Sequence, residues 1–254
     1  MANTLYLVGL GLKKGQLTLD GMDAIKRCPT VYLEGYTSEF RGVSDLAVEH
    51  GAEILPRDEV EEGVILFNAL EKNDVCLLVV GDPLSATTHQ GLVLESSRRG
   101  FKTRYIPGIS VMNVLPNMVG LSIYKFGRTT TLQYPEGDYF PTTPYEVLEE
   151  NLQRGLHTMM LLDIQAHKKR YMTPSQAFDI LRESERRIKK NVIQDSTICI
   201  TAVDVFGDRE TVACGTLKLL EKRPFPQGLS TLMFPGNMHF VEEESLARFA
   251  IAND

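Results

Sequence analysis

The sequence predicts two α/β domains, the first built on a mostly parallel sheet and the second on a mixed sheet. Three observations carry this. Short apolar runs alternate with amphipathic stretches five times before Gly120, the pattern of βα units rather than of hairpins. The alternation pauses near Gly120, which places the domains at residues 1–120 and 121–254. With 254 residues, 43% hydrophobic and 24% charged, the chain can bury a real core without staples.

In the first half, residues 4–9 read as a strand that runs into Gly9-Leu10-Gly11-Leu12. Thr18 caps a helix ending at Arg27, stopped by Cys28-Pro29. Residues 30–34 are the second strand, followed by Tyr36-Thr37-Ser38 and a helix over 44–50. Residues 53–56 are the third strand. Residues 59–71 read as one helix with Val60, Val64, Phe67 and Leu70 on a single face. The apolar run 74–80 is a fully buried fourth strand, and 90–99 a helix closed at Gly100. Residues 102–106 are the fifth strand. Pro107-Gly108-Ile109 then turns into a helix capped by Ser110, with Pro116 inside it.

The second half opens with Leu121-Ser122-Ile123-Tyr124-Lys125-Phe126-Gly127. A strand over 129–133 leads to an ordered loop, 134–142, rich in aromatics and turn formers. A helix over 144–153, a strand within 155–164 and a basic run, His167-Lys168-Lys169-Arg170, follow. Thr173, Pro174 and Gln176 form a helix start, and that helix runs to Ile188. Residues 197–205 and 210–217 read as neighbouring strands, 230–234 as a further strand, and 239–251 as the last helix.

Composition narrows the function classes. There are 27 Lys and Arg against 33 Asp and Glu, a formal charge of −6, which argues against nucleic acid as the main partner. Cys28, Cys76, Cys199 and Cys214 are scattered without a C-x-x-C pair and read as buried free thiols in a reducing, cytoplasmic setting. No basic leader precedes the first strand, and no apolar stretch is long enough to span a bilayer. No His, Cys and carboxylate spacing suggests a metal site, and no G-x-S-x-G suggests a hydrolase. Lys14 stands where the dinucleotide fingerprint needs its third glycine, which argues against a nicotinamide dehydrogenase.

The stretch of greatest chemical interest is Gly81-Asp82-Pro83-Leu84-Ser85-Ala86-Thr87-Thr88-His89, just beyond the carboxyl end of the fourth strand. Open α/β sheets hold ligands at such places. Gly81 permits close backbone approach, and Pro83 stiffens the turn. Asp82 either meets a ligand or bonds its own turn amides. His89 is either a residue of the helix start near the pocket or a base. The run 167–170 is either a solvated face or a contact for a protein substrate.

Gly-Asp-Pro-Leu-x-Ala-Thr-Thr-His resembles the cofactor loop of the diphthine synthase family, a branch of the tetrapyrrole methylase superfamily. The resemblance extends to Gly9-Leu10-Gly11-Leu12, Tyr36-Thr37-Ser38, Tyr124-Lys125-Phe126-Gly127, Tyr134-Pro135-Glu136-Gly137-Asp138-Tyr139-Phe140-Pro141, the stretch 155–164 and Pro235-Gly236-Asn237-Met238-His239. It departs at Ser85, at one extra residue within 110–121, and at Val203-Asp204-Val205-Phe206-Gly207.

The resemblance implies a tetrapyrrole methylase-like fold with S-adenosyl-L-methionine in the cleft between domains, and S-adenosyl-L-homocysteine as product. It implies cofactor contacts at Leu12, Asp82, Ser85, Ser110, Val111, Leu162, Val205 and Ser230, with no catalytic residue and no metal assigned. The implied substrate is translation elongation factor 2 carrying a 3-amino-3-carboxypropyl group on one histidine. Its amine would be trimethylated to give diphthine, on the way to diphthamide. The implied assembly is a homodimer without nucleic acid or membrane. The alternative within the superfamily is methylation of a tetrapyrrole or another small molecule. A catalytically silent, cofactor-binding scaffold is the rival of a different class.

Overall fold

The computed structural model describes residues 2–36, 38, 40 and 42–251, without the side chain of His167. Thr37 of the Tyr36-Thr37-Ser38 motif and the His167 side chain of the basic run thus lie outside the described residues. The chain forms two units, Met1–Val111 with Gln165–Lys169, and Met112–Ile164 with Arg170–Asp254.

In the first unit, strand β1 (Thr4–Gly9) pairs in parallel with β4 (Val75–Val79) on one side and β5 (Lys102–Ile106) on the other. Strands β2 (Thr30–Glu34) and β3 (Glu53–Leu55) extend the sheet, giving the order β3-β2-β4-β1-β5, all parallel. Both faces are covered, and the strands are accordingly apolar at successive positions. Leu5, Leu7, Val75, Leu77 and Val79 enter one core, and Tyr6, Val8, Cys76 and Leu78 the other. The first core is closed by α3 (Arg57–Glu62), α4 (Val64–Leu70) and α5 (Gln90–Arg98), through Val60, Leu66, Phe67, Leu70 and Leu92. The second is closed by α1 (Leu19–Arg27) and α2 (Val43–Glu49), through Ala24, Ile25, Leu46 and Ala47. Thr18 caps α1, its hydroxyl accepting from the Gly21 amide at 3.0 Å.

One helix of the sequence reading is two. Gly63, at φ 69°, breaks the stretch 59–71 into α3 and α4. The break rotates the second piece, so that Val64 is 54% exposed while Leu66 takes the inner position.

This topology positions the site. The chain leaves β1 toward β2 and leaves β4 toward β5, in opposite directions across the sheet. Helices α1 and α5 therefore cover opposite faces, and the loops after the adjacent strands β1 and β4 diverge. That divergence makes the carboxyl ends of β1 and β4 the topological switch point, where open α/β sheets leave a crevice.

The second unit holds all but the first residue of helix α6 (Val111–Val119), which carries Pro116 and is followed by a 3-10 turn at Ile123–Lys125. The sheet has the order β11-β10-β12-β7-β6. Strands β6 (Thr130–Leu132) and β7 (Thr158–Leu162) are parallel. β12 (Ser230–Phe234) is antiparallel to β7 and to β10 (Ile198–Val203), which pairs antiparallel with β11 (Thr211–Thr216). Helices α7 (Thr143–Gln153) and α8 (Pro174–Ile188) bury Tyr145, Leu148, Phe178 and Leu181 against Met160, Leu162, Leu232 and Phe234.

The capping box read at Thr173 is present: its hydroxyl accepts from the Gln176 amide, and the Gln176 side chain accepts from the Thr173 amide at 3.0 Å. Short strands β8 (Ile164–Gln165) and β9 (Arg170–Tyr171) precede α8, and helix α9 (Leu217–Leu220) follows β11. The last helix, α10 (Phe240–Ala247), ends before the expected 251, because the Cys214 amide donates to the Phe249 carbonyl and the Ile251 amide to the Cys214 carbonyl. Strand β10 likewise stops at Val203 instead of 205, where Asp204 and Phe206 adopt positive φ in a turn. All four cysteines are buried and free, as the sequence implied.

Candidate functional site

Three glycines meet at the carboxyl ends of β1, β4 and β5. A side chain at Gly9 would lie 2.4 Å from the Gly108 amide nitrogen, and one at Gly108 would lie 2.1 Å from the Gly81 carbonyl oxygen. Gly11 and Gly81 also exchange backbone hydrogen bonds, Gly11 donating at 3.2 Å and Gly81 at 2.8 Å. Only glycine permits three backbones to approach this closely. The outer face of Gly81, at φ 79°, is open: an added side chain would meet nothing nearer than Leu12 Cδ2 and the Ile109 carbonyl, both at 3.9 Å.

Asp82 ties these loops together. Its Oδ1 accepts from the Leu84 amide and the Ser85 hydroxyl, each at 3.0 Å. Its Oδ2 accepts from the Tyr105 hydroxyl at 2.6 Å and the Gly108 amide at 3.1 Å. Four donors occupy the roughly four lone-pair positions of a carboxylate. Burial works to raise the Asp82 carboxyl, but these donors outweigh it and hold it below the usual carboxylate range. The Tyr105 phenol is pushed up to about 12 by burial and by this carboxylate, so it remains a donor. Asp82 therefore does bond its own turn, the bland reading of the sequence, and in addition clamps the turn to β5.

The other expected residues of the first unit lie on the same loops. Leu12 follows the Gly11 bridge, and its amide donates to Gln16 Oε1 at 2.7 Å. Ser85 is occupied with Asp82. Ser110 is buried, and Val111, which opens α6, is half-buried. His89 is 2% exposed and folds back on its own loop, with Nδ1 2.9 Å from the Pro83 carbonyl oxygen. Its Nε2 lies 3.3 Å from Glu34 Oε2 and 3.4 Å from the Tyr36 hydroxyl.

The expected residues of the second unit gather at one end of its sheet. Ser230 pairs with Val203, and Thr231 with Leu161, so Leu162 lies across from Ser230. Val205 sits in the turn directly beyond β10, whose Asp204 amide donates to the Leu229 carbonyl at 2.9 Å. Leu162 and Ser230 are buried, and Val205 is half-buried.

Sequence reasoning missed Tyr105, Gly108 and Glu34 as parts of this site. Tyr105 gave no signal, being an aromatic in a strand. Glu34 gave a weak one: a carboxylate ends the apolar run Val31-Tyr32-Leu33 and is only 1% exposed. Among the described residues no cluster of three or more His, Cys, Asp or Glu could hold a metal ion. No helix among them is long and apolar enough to cross a membrane.

Comparison with known proteins bears on what these loops hold. A model of the tetrapyrrole (corrin/porphyrin) methylases matches residues 4–218. The diphthine synthase of Methanothermobacter thermautotrophicus is 36% identical over 97% of this chain and 95% of its own length. That of Methanosphaera stadtmanae is 36% identical over the same shares. A crystal structure of diphthine synthase superposes with a TM-score of 0.86 at 29% identity, covering 98% of this chain and 96% of that one.

Proposed function

The chain belongs to the tetrapyrrole (corrin/porphyrin) methylases and is a methyltransferase, and from this we propose that it works as a diphthine synthase. Its substrate is then translation elongation factor 2 bearing a 3-amino-3-carboxypropyl histidine, and its product the trimethylated amine. The methyl donor is S-adenosyl-L-methionine, leaving as S-adenosyl-L-homocysteine. The enzyme acts as a homodimer in the cytoplasm.

The single observation that carries the reading is the glycine-lined switch point of the first unit, in a chain similar along nearly its whole length to diphthine synthases. The residues fit an adenosyl cofactor. The open face of Gly81 offers bare backbone between the apolar Leu12 side chain and the Ile109 carbonyl, where a flat ring can lie. The Ser110 hydroxyl and the first amides of α6 suit a carboxylate. Within this unit Leu12, Ser110 and Val111 would hold the donor. Asp82 contributes by shaping the wall, since its oxygens already accept four hydrogen bonds.

The donor, when bound, supplies a methyl group already activated by a sulfonium. What the chain must add is alignment of the substrate amine and exclusion of water. The thiols are not placed as covalent nucleophiles: all four are buried, and that of Cys76 is pushed well up by its hydrogen bond to Cys28 and by burial. Desolvation around the amine favours its neutral, nucleophilic form.

The test is direct. The purified chain is incubated with S-adenosylmethionine and elongation factor 2 that carries the unmethylated group, and the modified peptide is weighed by mass spectrometry. Trimethylation is the expected result. No methylation of that group, with transfer to a porphyrin precursor instead, would replace the reading by the tetrapyrrole alternative. Sedimentation under reducing conditions that shows only monomer at micromolar concentration would overturn the dimer.

A further inference from the structure

His89 and Glu34 are buried ionisable groups in contact beside the Gly81-Asp82-Pro83 turn, and the methyl transfer has no use for either as an acid or a base. Nδ1 of His89 lies 2.9 Å from the Pro83 carbonyl oxygen. A carbonyl accepts and cannot donate, so the proton of this contact sits on Nδ1. At the opposite side of the ring, Nε2 lies 3.3 Å from Glu34 Oε2, with both side chains at most 1% exposed. The ring is held from both sides, and a flipped ring would turn a C–H toward the carbonyl.

The surroundings agree. From the end of β2, Glu34 and Tyr36 face Nε2. From α3, Glu61 accepts from Thr88, and the Arg57 guanidinium lies 5.7 Å over the Tyr36 ring. Burial, and then Glu34, push the Tyr36 phenol up to about 12, so it keeps its proton. The Pro83 carbonyl also accepts from the Thr87 hydroxyl at 2.6 Å. The turn is thus tied twice to the residues that lead into α5, and through His89 to the end of β2.

We infer that His89 is a positioning residue for the methyl donor: held at Nε2 by a proton shared with Glu34, it fixes the Pro83 carbonyl through Nδ1–H, and with it the Gly81-Asp82 backbone. It takes no proton from the substrate amine. This rests on the reading above that the donor lies against Gly81.

Asparagine and glutamine separate the two ends of the ring, because an Asn amide nitrogen falls near the place of Nδ1 and a Gln amide nitrogen near that of Nε2. His89→Asn should keep the KM for S-adenosylmethionine within about threefold of the parent, and His89→Gln should raise it about tenfold, the scale of one lost hydrogen bond. In both, kcat should change less than KM, and the pH–rate profile should keep its shape. Equal KM effects in the two variants would overturn the inference in favour of plain packing. A fall in kcat with an altered pH profile would overturn it in favour of a base. Nitrogen-15 NMR of the parent protein needs no variant to fold: Nδ1 of His89 should carry a proton, and a bare Nδ1 would overturn the inference. A parent protein that binds no S-adenosylmethionine in calorimetry would refute the donor-site reading itself, and the inference with it, whichever tautomer the spectrum shows.

Discussion

Glu242 accepts a hydrogen bond at 2.9 Å from Nε2 of His157, 85 residues before it in the chain. The same carboxylate accepts from the Ser122 amide at 2.9 Å, from the His239 amide at 2.7 Å and from the Lys125 ammonium. It joins the head of α10, the start of β7 and the turn that opens the second unit. His157 completes the knot by accepting from the Gly236 amide through Nδ1 at 2.9 Å, so the ring is neutral with its proton on Nε2.

This knot gives Glu242 a share in acid stability. Burial alone would raise the Glu242 carboxyl, but its four donors outweigh burial and bring it down to about 2, from an ordinary 4.5. A depressed carboxylate stabilises the fold fully above its unfolded pKa, and the contribution fades as pH falls from 4.5 through 2. Glu242→Gln should cost about 3 kcal/mol at neutral pH, and should flatten the loss of stability below pH 4.5. Urea unfolding of both proteins across this range checks it. Parallel curves would show that Glu242 is not the group responsible.

Asp82→Ala should weaken S-adenosylmethionine binding by about 1–3 kcal/mol, the loss for a charged hydrogen-bonding partner. Because Asp82 acts through the loops it clamps, Tyr105→Phe should weaken binding in the same direction by about 1 kcal/mol. Calorimetry decides. Unchanged affinity in Asp82→Ala would remove the clamp from the binding site.

Gly9→Ala tests the glycine contact without the complication of backbone conformation, since Gly9 is not among the glycines with positive φ. The added carbon would lie 2.4 Å from the Gly108 nitrogen, a backbone atom that cannot turn aside. A loss of about 3 kcal/mol or more is expected, at the upper range for overpacking. Gly15→Ala, which would meet nothing within 4 Å but sits at φ 95°, should cost only about 1 kcal/mol. Thermal melts giving equal losses for the two would count against the glycine junction.

Turnover should survive chelators and Cys76→Ser, because the activated methyl needs neither Lewis acid nor thiolate. It should rise with pH as the substrate amine deprotonates, since only the neutral amine has a lone pair to attack with. A chelator-sensitive rate that zinc or magnesium restores would contradict this account.

The site was half legible in the sequence, and the reason is distance along the chain. The apolar run of β4 and the Gly81-Asp82-Pro83 turn are local signals, and both stand where expected. What Asp82 touches is not local: two of its donors, Tyr105 and Gly108, are 23 and 26 residues away. The sequence could offer only the two alternatives, ligand or turn. Gly63 was hidden for a different reason. A glycine inside a helix costs only about 1 kcal/mol, so an apolar period running through it reads as one helix. The true stop of α10 was invisible because it depends on Cys214, in a strand that the periodicity of 239–251 says nothing about.

That stop has a consequence for self-association. Strand β11 is the outermost strand of its sheet beside β10, and such strands offer unpaired amides and carbonyls to any other extended chain. Here Phe249 and Ile251 take both groups of Cys214, at 2.7 and 3.0 Å. Gly215 makes room for the tail, for a side chain there would strike Ile251 at 2.7 Å. Residues 249–251 thus act at Cys214 as a guard rail against edge-to-edge growth. A chain cut after Arg248 would keep α10 but bare this margin, and aggregation in proportion to concentration would be the sign that the guard was gone.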